Sequence, residues 1–201
     1  MFGIAKKLAQ AGVLSLNSRN AEYTLWHNPR HLYPLVDDKI TTKRLAEDAG
    51  LAVPKLYGVI EIERQVRGLA GLLKPYDDFV IKPAQGSGGD GIVVITGRRG
   101  ERYRKASGQF ITQADLDHHV SNTLGGAYSL GGHPDKAIIE YRVQFDPIFE
   151  AISYQGVPDI RIIVFLGVPV MAEEHGQQAL PGKGESAEKP EQDLEVLHGA
   201  E

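Results

Sequence analysis

Cysteine is absent from the 201 residues, which removes disulfides, thiolate metal sites and cysteine nucleophiles together. A metal would need oxygen or histidine ligands. No apolar run approaches the length of a membrane-spanning helix. The start, Met1 to Leu16, carries Lys6 and Lys7 before a mildly apolar stretch, but Gln10 interrupts it and no small-residue cleavage site follows. It reads as a short amphipathic helix, not a signal peptide, and the expectation is a cytoplasmic protein with no membrane partner. A basic excess is missing too. Net charge is −4, and residues 172–201 hold eight acids against two lysines, leaving residues 1–171 at +2 from 20 Lys and Arg against 18 Asp and Glu. Nucleic-acid binders carry a strong basic footprint, so nucleic acid is excluded as a partner, and a small anionic ligand better explains the local lysines and arginines.

What is present begins with a core: 42% of residues are hydrophobic, enough for one well-packed domain or two small lobes. The most informative segment is Phe79-Val80-Ile81-Lys82-Pro83-Ala84-Gln85-Gly86-Ser87-Gly88-Gly89-Asp90-Gly91, followed by Ile92-Val93-Val94-Ile95. An apolar strand ends on a lysine, a glycine-rich loop follows, and a second strand takes over. Backbone N–H groups in such a loop can approach an anion with no Cβ in the way, and the lysine adds a full charge. A Walker loop requires Gly-Lys-Ser/Thr leading into a helix, and a dinucleotide fingerprint also requires a helix after its glycines. Here the lysine precedes the glycines and the next segment is β-branched, which points to a nucleoside triphosphate held between strands. Taken alone, Gly-Ser-Gly-Gly is equally a plain hairpin turn. Lys82 tilts the balance, since a lysine in an apolar strand is costly unless paired.

The rest of the chain supplies alternating elements. Asp38 to Gly50 reads as a helix capped by its threonines, with Leu45 and Ala49 inward and Gly50 and Pro54 as the stop. Val66, Leu69, Ala70 and Leu73 share one face of a helix over Glu63 to Leu73. Gly97-Arg98-Arg99-Gly100 reads as a turn opening a solvated basic stretch through Lys105, with an acidic ligand as the second reading. Thr112 and Asp115 start a helix that runs to about Leu124. Strands are expected at Ala137 to Val143, Ile160 to Leu166 and Val168 to Met171. The order β, glycine hairpin, β, α, β, β is α+β, with the hairpin over a cleft in front of the later strands. Tyr23, Trp26 and Tyr33 are expected to pack the amino-terminal segment onto the core. His118 and His119 point about 100° apart on a helix, so with His133 they read as structural or solvent-facing, not as metal ligands.

Four separated elements fit one ligand: Asp38-Lys39, Lys82 with its glycines, Ile139-Glu140-Tyr141-Arg142-Val143, and Pro158-Asp159-Ile160-Arg161. In that order and spacing, with Asn28-Pro29-Arg30 and Tyr33-Pro34-Leu35-Val36-Asp37 ahead of them, they resemble the ATP-grasp superfamily. The likeness is to the RimK-related alpha-L-glutamate ligase-like proteins and the sugar-transfer-associated ATP-grasp group, and it covers Met1 to Met171. The resemblance implies an ATP-grasp fold with a nucleotide cleft between a glycine-loop hairpin lobe and a second sheet. It implies that Lys39 and Lys82 contact phosphates, and that Gln85, Gly86, Ser87, Gly88, Gly89 and Gly91 close over the triphosphate. Glu140, Tyr141 and Val143 would form the adenine hinge, with Asp159 at the ribose or its neighbouring phosphate. Arg161 would face the triphosphate or an acyl phosphate, and Arg161 and Lys82 would carry the catalysis. The activity implied is ADP-forming ligation of a carboxylate to an amine through an acyl phosphate, with Mg²⁺ expected for the family.

The resemblance divides the chain into a helical, aromatic segment at 1–37, a partial ATP-grasp domain at 38–171 and an acidic tail at 172–201. Family members continue past the Met171 position with more sheet and a Glu-x-Asn motif that holds Mg²⁺. The tail has neither; its Gly, Pro, Glu and Gln composition predicts disorder. A frameshift or premature end after Met171 is the expectation, which leaves two function classes: a ligase whose ATP-binding part this chain carries, or a non-catalytic product that binds ATP weakly or serves as an interaction module.

Overall fold

The computed structural model describes residues 2–86, 88–144, 146 and 159–175. Ser87 and residues 176–201 of the expected tail lie outside the described residues. The chain divides into two compact units, 1–143 and 144–201, and each is described by itself.

The first unit opens with α1 (Phe2–Gln10), a series of short helical turns between residues 16 and 37, and α2 (Lys39–Asp48). It continues through β1 (Leu56–Ile60), α3 (Glu63–Val66), α4 (Leu69–Leu73), β2 (Phe79–Pro83), β3 (Val93–Arg99), β4 (Arg102–Lys105), β5 (Phe110–Ile111), α5 (Gln113–Leu124) and β6 (Ala137–Glu140). The six strands form one antiparallel sheet in the order β1-β6-β2-β3-β4-β5. An α+β chain with antiparallel pairing therefore matches the expected class, and the β2–β3 hairpin around the glycine loop sits at the centre of the sheet.

Strand alternation gives the sheet two different faces. Phe79 and Ile81 of β2, Ile95 of β3 and Ala137 and Ile139 of β6 join Val66, Leu69, Leu73, Leu116, Val120 and Leu124 in one hydrophobic core. Each fully buried Leu, Ile or Phe there contributes about 1.5–3 kcal/mol of transfer free energy. The opposite face carries Val80 and Lys82 of β2 beside Ile138 and Glu140 of β6, with Val80 opposite Glu140 and Lys82 opposite Ile138. One face holds the fold together, and the other presents charge.

Several local expectations change. The cap of α2 is the Asp38 carboxylate, which accepts from the N–H groups of Ile40 at 2.7 Å and Thr41 at 3.2 Å; the threonines do not cap it. Leu45 is exposed and the buried residue of α2 is Lys43, because the helix turns toward a buried carboxylate. The single helix expected over 63–73 is two, interrupted at Arg67 and Gly68, although Val66, Leu69 and Leu73 do share the buried side. Gly97 to Gly100 is not the turn expected: β3 runs on to Arg99 after a bulge and pairs with β4. Arg98 is not solvated either, since it donates to the carbonyls of Tyr76 and Leu73 and lies 4.5 Å from the Tyr103 ring centroid. The α5 start is as expected, with Thr112 and Asp115 exchanging side-chain and backbone hydrogen bonds. Trp26 is 79% exposed and does not pack on the core.

In the second unit, β7 (Asp159–Phe165) and β8 (Val168–His175) form an antiparallel two-stranded ribbon. Gly167, at φ 84°, makes the turn between them. The strand expected to end at Met171 continues to His175.

Candidate functional site

Lys82 stands on the face of the central strand β2 that looks away from the core. Two residues along the sheet diagonal, Glu140 ends β6, and its Oε1 lies 2.5 Å from Lys82 Nζ. Glu140 is 4% exposed, so it is not the outward residue of a half-buried strand. Its second oxygen, Oε2, lies 2.9 Å from Nζ of Lys43, which also donates to the Pro54 carbonyl. The Lys43 contact is an ion pair by distance without hydrogen-bond direction, for Oε2 has no hydrogen-bond partner. A buried carboxylate would be severely destabilising without such partners.

Lys39 is the first residue of α2, one turn before Lys43 and on the same side of the helix. Its Nζ donates to the carbonyls of Ala84 at 3.3 Å and Gly86 at 2.5 Å, and its backbone N–H also donates to Ala84 at 3.1 Å. The amino end of α2 is thereby fastened to the start of the glycine loop. Burial first, and then the charge of Lys82, lowers the Lys39 pKa from its ordinary value. Two cations from different elements thus repel one another beside the loop, an arrangement that an arriving anion would relieve. Lys39, Lys43 and Lys82 line a cleft of about 230 Å³ whose apolar wall includes Val36, Val53 and Pro54.

The loop itself is held at its start by the segment between α5 and β6 and at its end by α5. At its start, the Gln85 N–H donates to both oxygens of the buried Asp135 carboxylate, at 3.2 and 2.9 Å. Asp135 also accepts from Ser129 Oγ at 2.9 Å and the Lys136 N–H at 2.7 Å, and Gly86 bridges to Ser129. At the loop's end, His119 Nε2 lies 2.9 Å from the Gly91 carbonyl, and His119 Nδ1 is 3.3 Å from the Tyr128 hydroxyl. A neutral ring that donates from Nε2 and accepts at Nδ1 satisfies both contacts. Burial, the largest effect, lowers the His119 pKa from 6.5. Between these ends, Gly88 and Gly89 have φ of 65° and 83°, backbone that L side chains rarely adopt. Gly91, at φ 74°, lies so close to Tyr128 that a Cβ would meet its ring at 2.5 Å.

Of the residues singled out in the sequence, Lys39, Lys82 and Glu140 come together, with Lys39 fastened to Gly86 at the start of the loop that follows Gln85 and continues to Gly88, Gly89 and Gly91. Tyr141 and Val143 follow directly after β6 and are exposed. The Tyr141 N–H donates to the Lys55 carbonyl at 2.8 Å, so this donor of the expected hinge is already engaged. Asp159 and Arg161 lie on β7 in the second unit, in register with His175 and Glu173. Sequence reasoning missed Lys43, Asp135 and the His119–Tyr128 pair. The spacing of Lys43 four residues after Lys39 was a signal; Asp135 had none, because the partners that tie it to the loop, Ser129 and Gln85, lie 6 and 50 residues away in the chain. His118 is exposed while His119 is half-buried, as their angular separation on the helix predicts.

Among the described residues, no group of three or more His, Asp or Glu gathers that could hold a metal ion. The lysines and the glycine loop suit an anion instead. No helix among the described residues is long and apolar enough to cross a membrane.

No curated protein and no solved structure matches the sequence. A family model does match, that of sugar-transfer associated ATP-grasp proteins, over residues 18–173. Its span takes in Lys39, Lys82, the glycine loop, Glu140, Asp159 and Arg161 alike, and the chain therefore belongs to the sugar-transfer associated ATP-grasp family.

Proposed function

We propose that this chain binds ATP with Lys39, Lys82 and the loop from Gln85 to Gly91, as the nucleotide-grasping part of an ADP-forming carboxylate–amine ligase. ATP binding and a ligase-type activity follow in outline from family membership. The observation that carries the residue assignment is the meeting of Lys39 and Lys82, from two different elements, at the start of a loop whose Gly88, Gly89 and Gly91 have backbone that L side chains rarely adopt.

In this reading the loop N–H groups and the two lysines neutralise the triphosphate, and Val36, Val53 and Pro54 offer apolar surface beside them. Glu140, Tyr141 and Val143 form the adenine hinge, with the Glu140 carbonyl as the acceptor at the strand end. Asp159 and Arg161 serve the ribose and the transferring phosphate. A substrate carboxylate attacks the γ-phosphorus and ADP leaves; the acyl phosphate formed then loses phosphate to an attacking amine, giving an amide. No enzyme nucleophile is needed, so the protein contributes position and charge. Mg²⁺ is typical of the superfamily; no group of three or more His, Asp or Glu gathers among the described residues, and no step here is routed through it. The matched family is a different branch from the glutamate ligases, so the reading stops at a carboxylate and an amine and does not extend to glutamate.

Titration of the full chain with ATP, followed by calorimetry, tests the assignment. Lys82→Ala should weaken binding about 10- to 100-fold, the worth of a charge-assisted contact to phosphate; unchanged affinity would show that the loop is not the phosphate cradle. ADP release that depends on an added carboxylate would support the ligase, and bound ATP without turnover would support the non-catalytic alternative.

A further inference from the structure

We infer that Lys43 is a positioning residue for Lys82: by sharing the buried Glu140 carboxylate, it sets how readily Lys82 leaves that carboxylate for a phosphate. The inference rests on the nucleotide reading of Lys82 above.

Glu140 has two oxygens and two ammonium partners, one on each. Oε1 is held by Lys82 at 2.5 Å and Oε2 faces Lys43 at 2.9 Å. The two lysines are not equivalent. The Lys82 side chain is 21% exposed and that of Lys43 is 8% exposed, and the Lys43 ammonium is tied to the Pro54 carbonyl as well. Lys43 is thus the more deeply fixed partner and Lys82 the more exposed one. An ammonium that moves from Glu140 to a phosphate leaves a carboxylate behind, and a buried carboxylate stripped of its only partner is strongly unfavourable. With Lys43 in place, Glu140 keeps a counter-charge when Lys82 departs.

This arrangement separates two roles that a sequence would merge. Lys39 and Lys82 meet the ligand, while Lys43, which also lines the cleft, has its ammonium engaged by Glu140 and the Pro54 carbonyl and acts through Glu140. Lys39 is part of the same field: burial first and then Lys82 lower its pKa, while Asp135, Asp38 and Glu140 oppose them. Lys43 carries no such contact to the loop carbonyls.

The test compares the full-length wild type with Lys43→Met, Glu140→Gln, the double variant and Lys43→Arg. Without nucleotide, solvent exchange of the Lys82 ammonium protons is read by ¹⁵N NMR, with Lys82→Arg assigning the signal. Lys43→Met should slow that exchange about threefold or more, because Glu140 is then left to Lys82 alone, and Glu140→Gln should speed it by a similar factor. ATP affinity should fall about 10-fold in Lys43→Met and stay near wild type in Lys43→Arg. In the Glu140→Gln background, removing Lys43 should change ATP affinity less than about twofold. That last comparison involves no stranded buried carboxylate, so it remains decisive if Lys43→Met alone fails to fold. Exchange at Lys82 that ignores Lys43, or an equal loss of ATP affinity with and without Glu140, would overturn the inference. If the exchange rates follow the expected order while no protein binds ATP, the nucleotide reading falls and the sharing of Glu140 stands.

Discussion

The six-stranded sheet and the two-stranded ribbon are written in the same residue types and bury them to opposite degrees. Ile138 and Ile139 of β6 are 0% exposed, whereas Ile160 and Ile162 of β7 are 60% and 58% exposed. The difference lies in the neighbours. Strand β6 sits between β1 and β2, with α5 packed on it and the core on one side. Strand β7 pairs with β8 alone among the described residues. A hairpin of two strands is marginal by itself in water, so apolar strand sequence states a capacity for burial, and the number of partners decides how much of it is used. The residues singled out in the sequence divide the same way: Lys39, Lys82 and the glycine loop belong to the unit of the six-stranded sheet, while Asp159 and Arg161 are carried by the ribbon.

The largest expected effect breaks that comparison directly. Phe79→Ala in β2 should cost about 3–5 kcal/mol of unfolding free energy, and Ile162→Ala in β7 about 0.5 kcal/mol or less, as for other exposed substitutions. Denaturant unfolding of the two variants measures both, and similar losses would mean that the ribbon is packed as the sheet is.

Next comes the anchor of the loop on the sheet. Asp135→Ala removes the acceptor of the Gln85 N–H, the Ser129 hydroxyl and the Lys136 N–H; stranding buried donors should destabilise by about 2–3 kcal/mol. Limited proteolysis should then cut near Gln85 sooner than in wild type, and a cleavage pattern that does not change would remove Asp135 from the loop's support.

Within the loop, Gly91→Ala combines a φ of 74° with a Cβ 2.5 Å from the Tyr128 ring, while Gly89→Ala, at φ 83°, meets open space. The second should cost about 1 kcal/mol from backbone strain alone. The first should cost about 1–3 kcal/mol more, as Tyr128 is displaced. Equal melting temperatures for the two variants would contradict the close approach.

The smallest effect is a pH dependence. Burial disfavours protonation of His119 in the folded chain, and the adjacent Lys105 and His118 act in the same direction, while the bond to Gly91 opposes them. The unfolded chain takes up the proton near the ordinary value of 6.5, so it binds more protons than the native state just below that pH. The contribution of the neutral ring is therefore complete above 6.5 and is lost as pH falls through the lower native value. Unfolding free energies of wild type measured from pH 8 to 5 should fall in that window, and His119→Gln should flatten the slope; an identical slope in the variant would assign it elsewhere.

The sequence by itself determined whatever depends on near neighbours in the chain. The glycine loop between strands, the cationic end of β2, the Thr112–Asp115 start of α5 and the buried stripe of Val66, Leu69 and Leu73 are all legible, because periodicity, capping and backbone freedom act over a few residues. The order of the motifs identified the family. Tertiary structure alone decided the burial of Lys43 and Glu140, the grip of Asp135 on Gln85, the latch of His119 on Gly91 and the strands β1, β4 and β5. Each joins groups brought together by sheet pairing or helix docking, or occupies a strand too short and polar to show a pattern. Lys43 and Glu140 lie almost a hundred residues apart and read as ordinary surface charges; a shared buried ion pair exists only after β6 enters between β1 and β2 and places a carboxylate beneath α2.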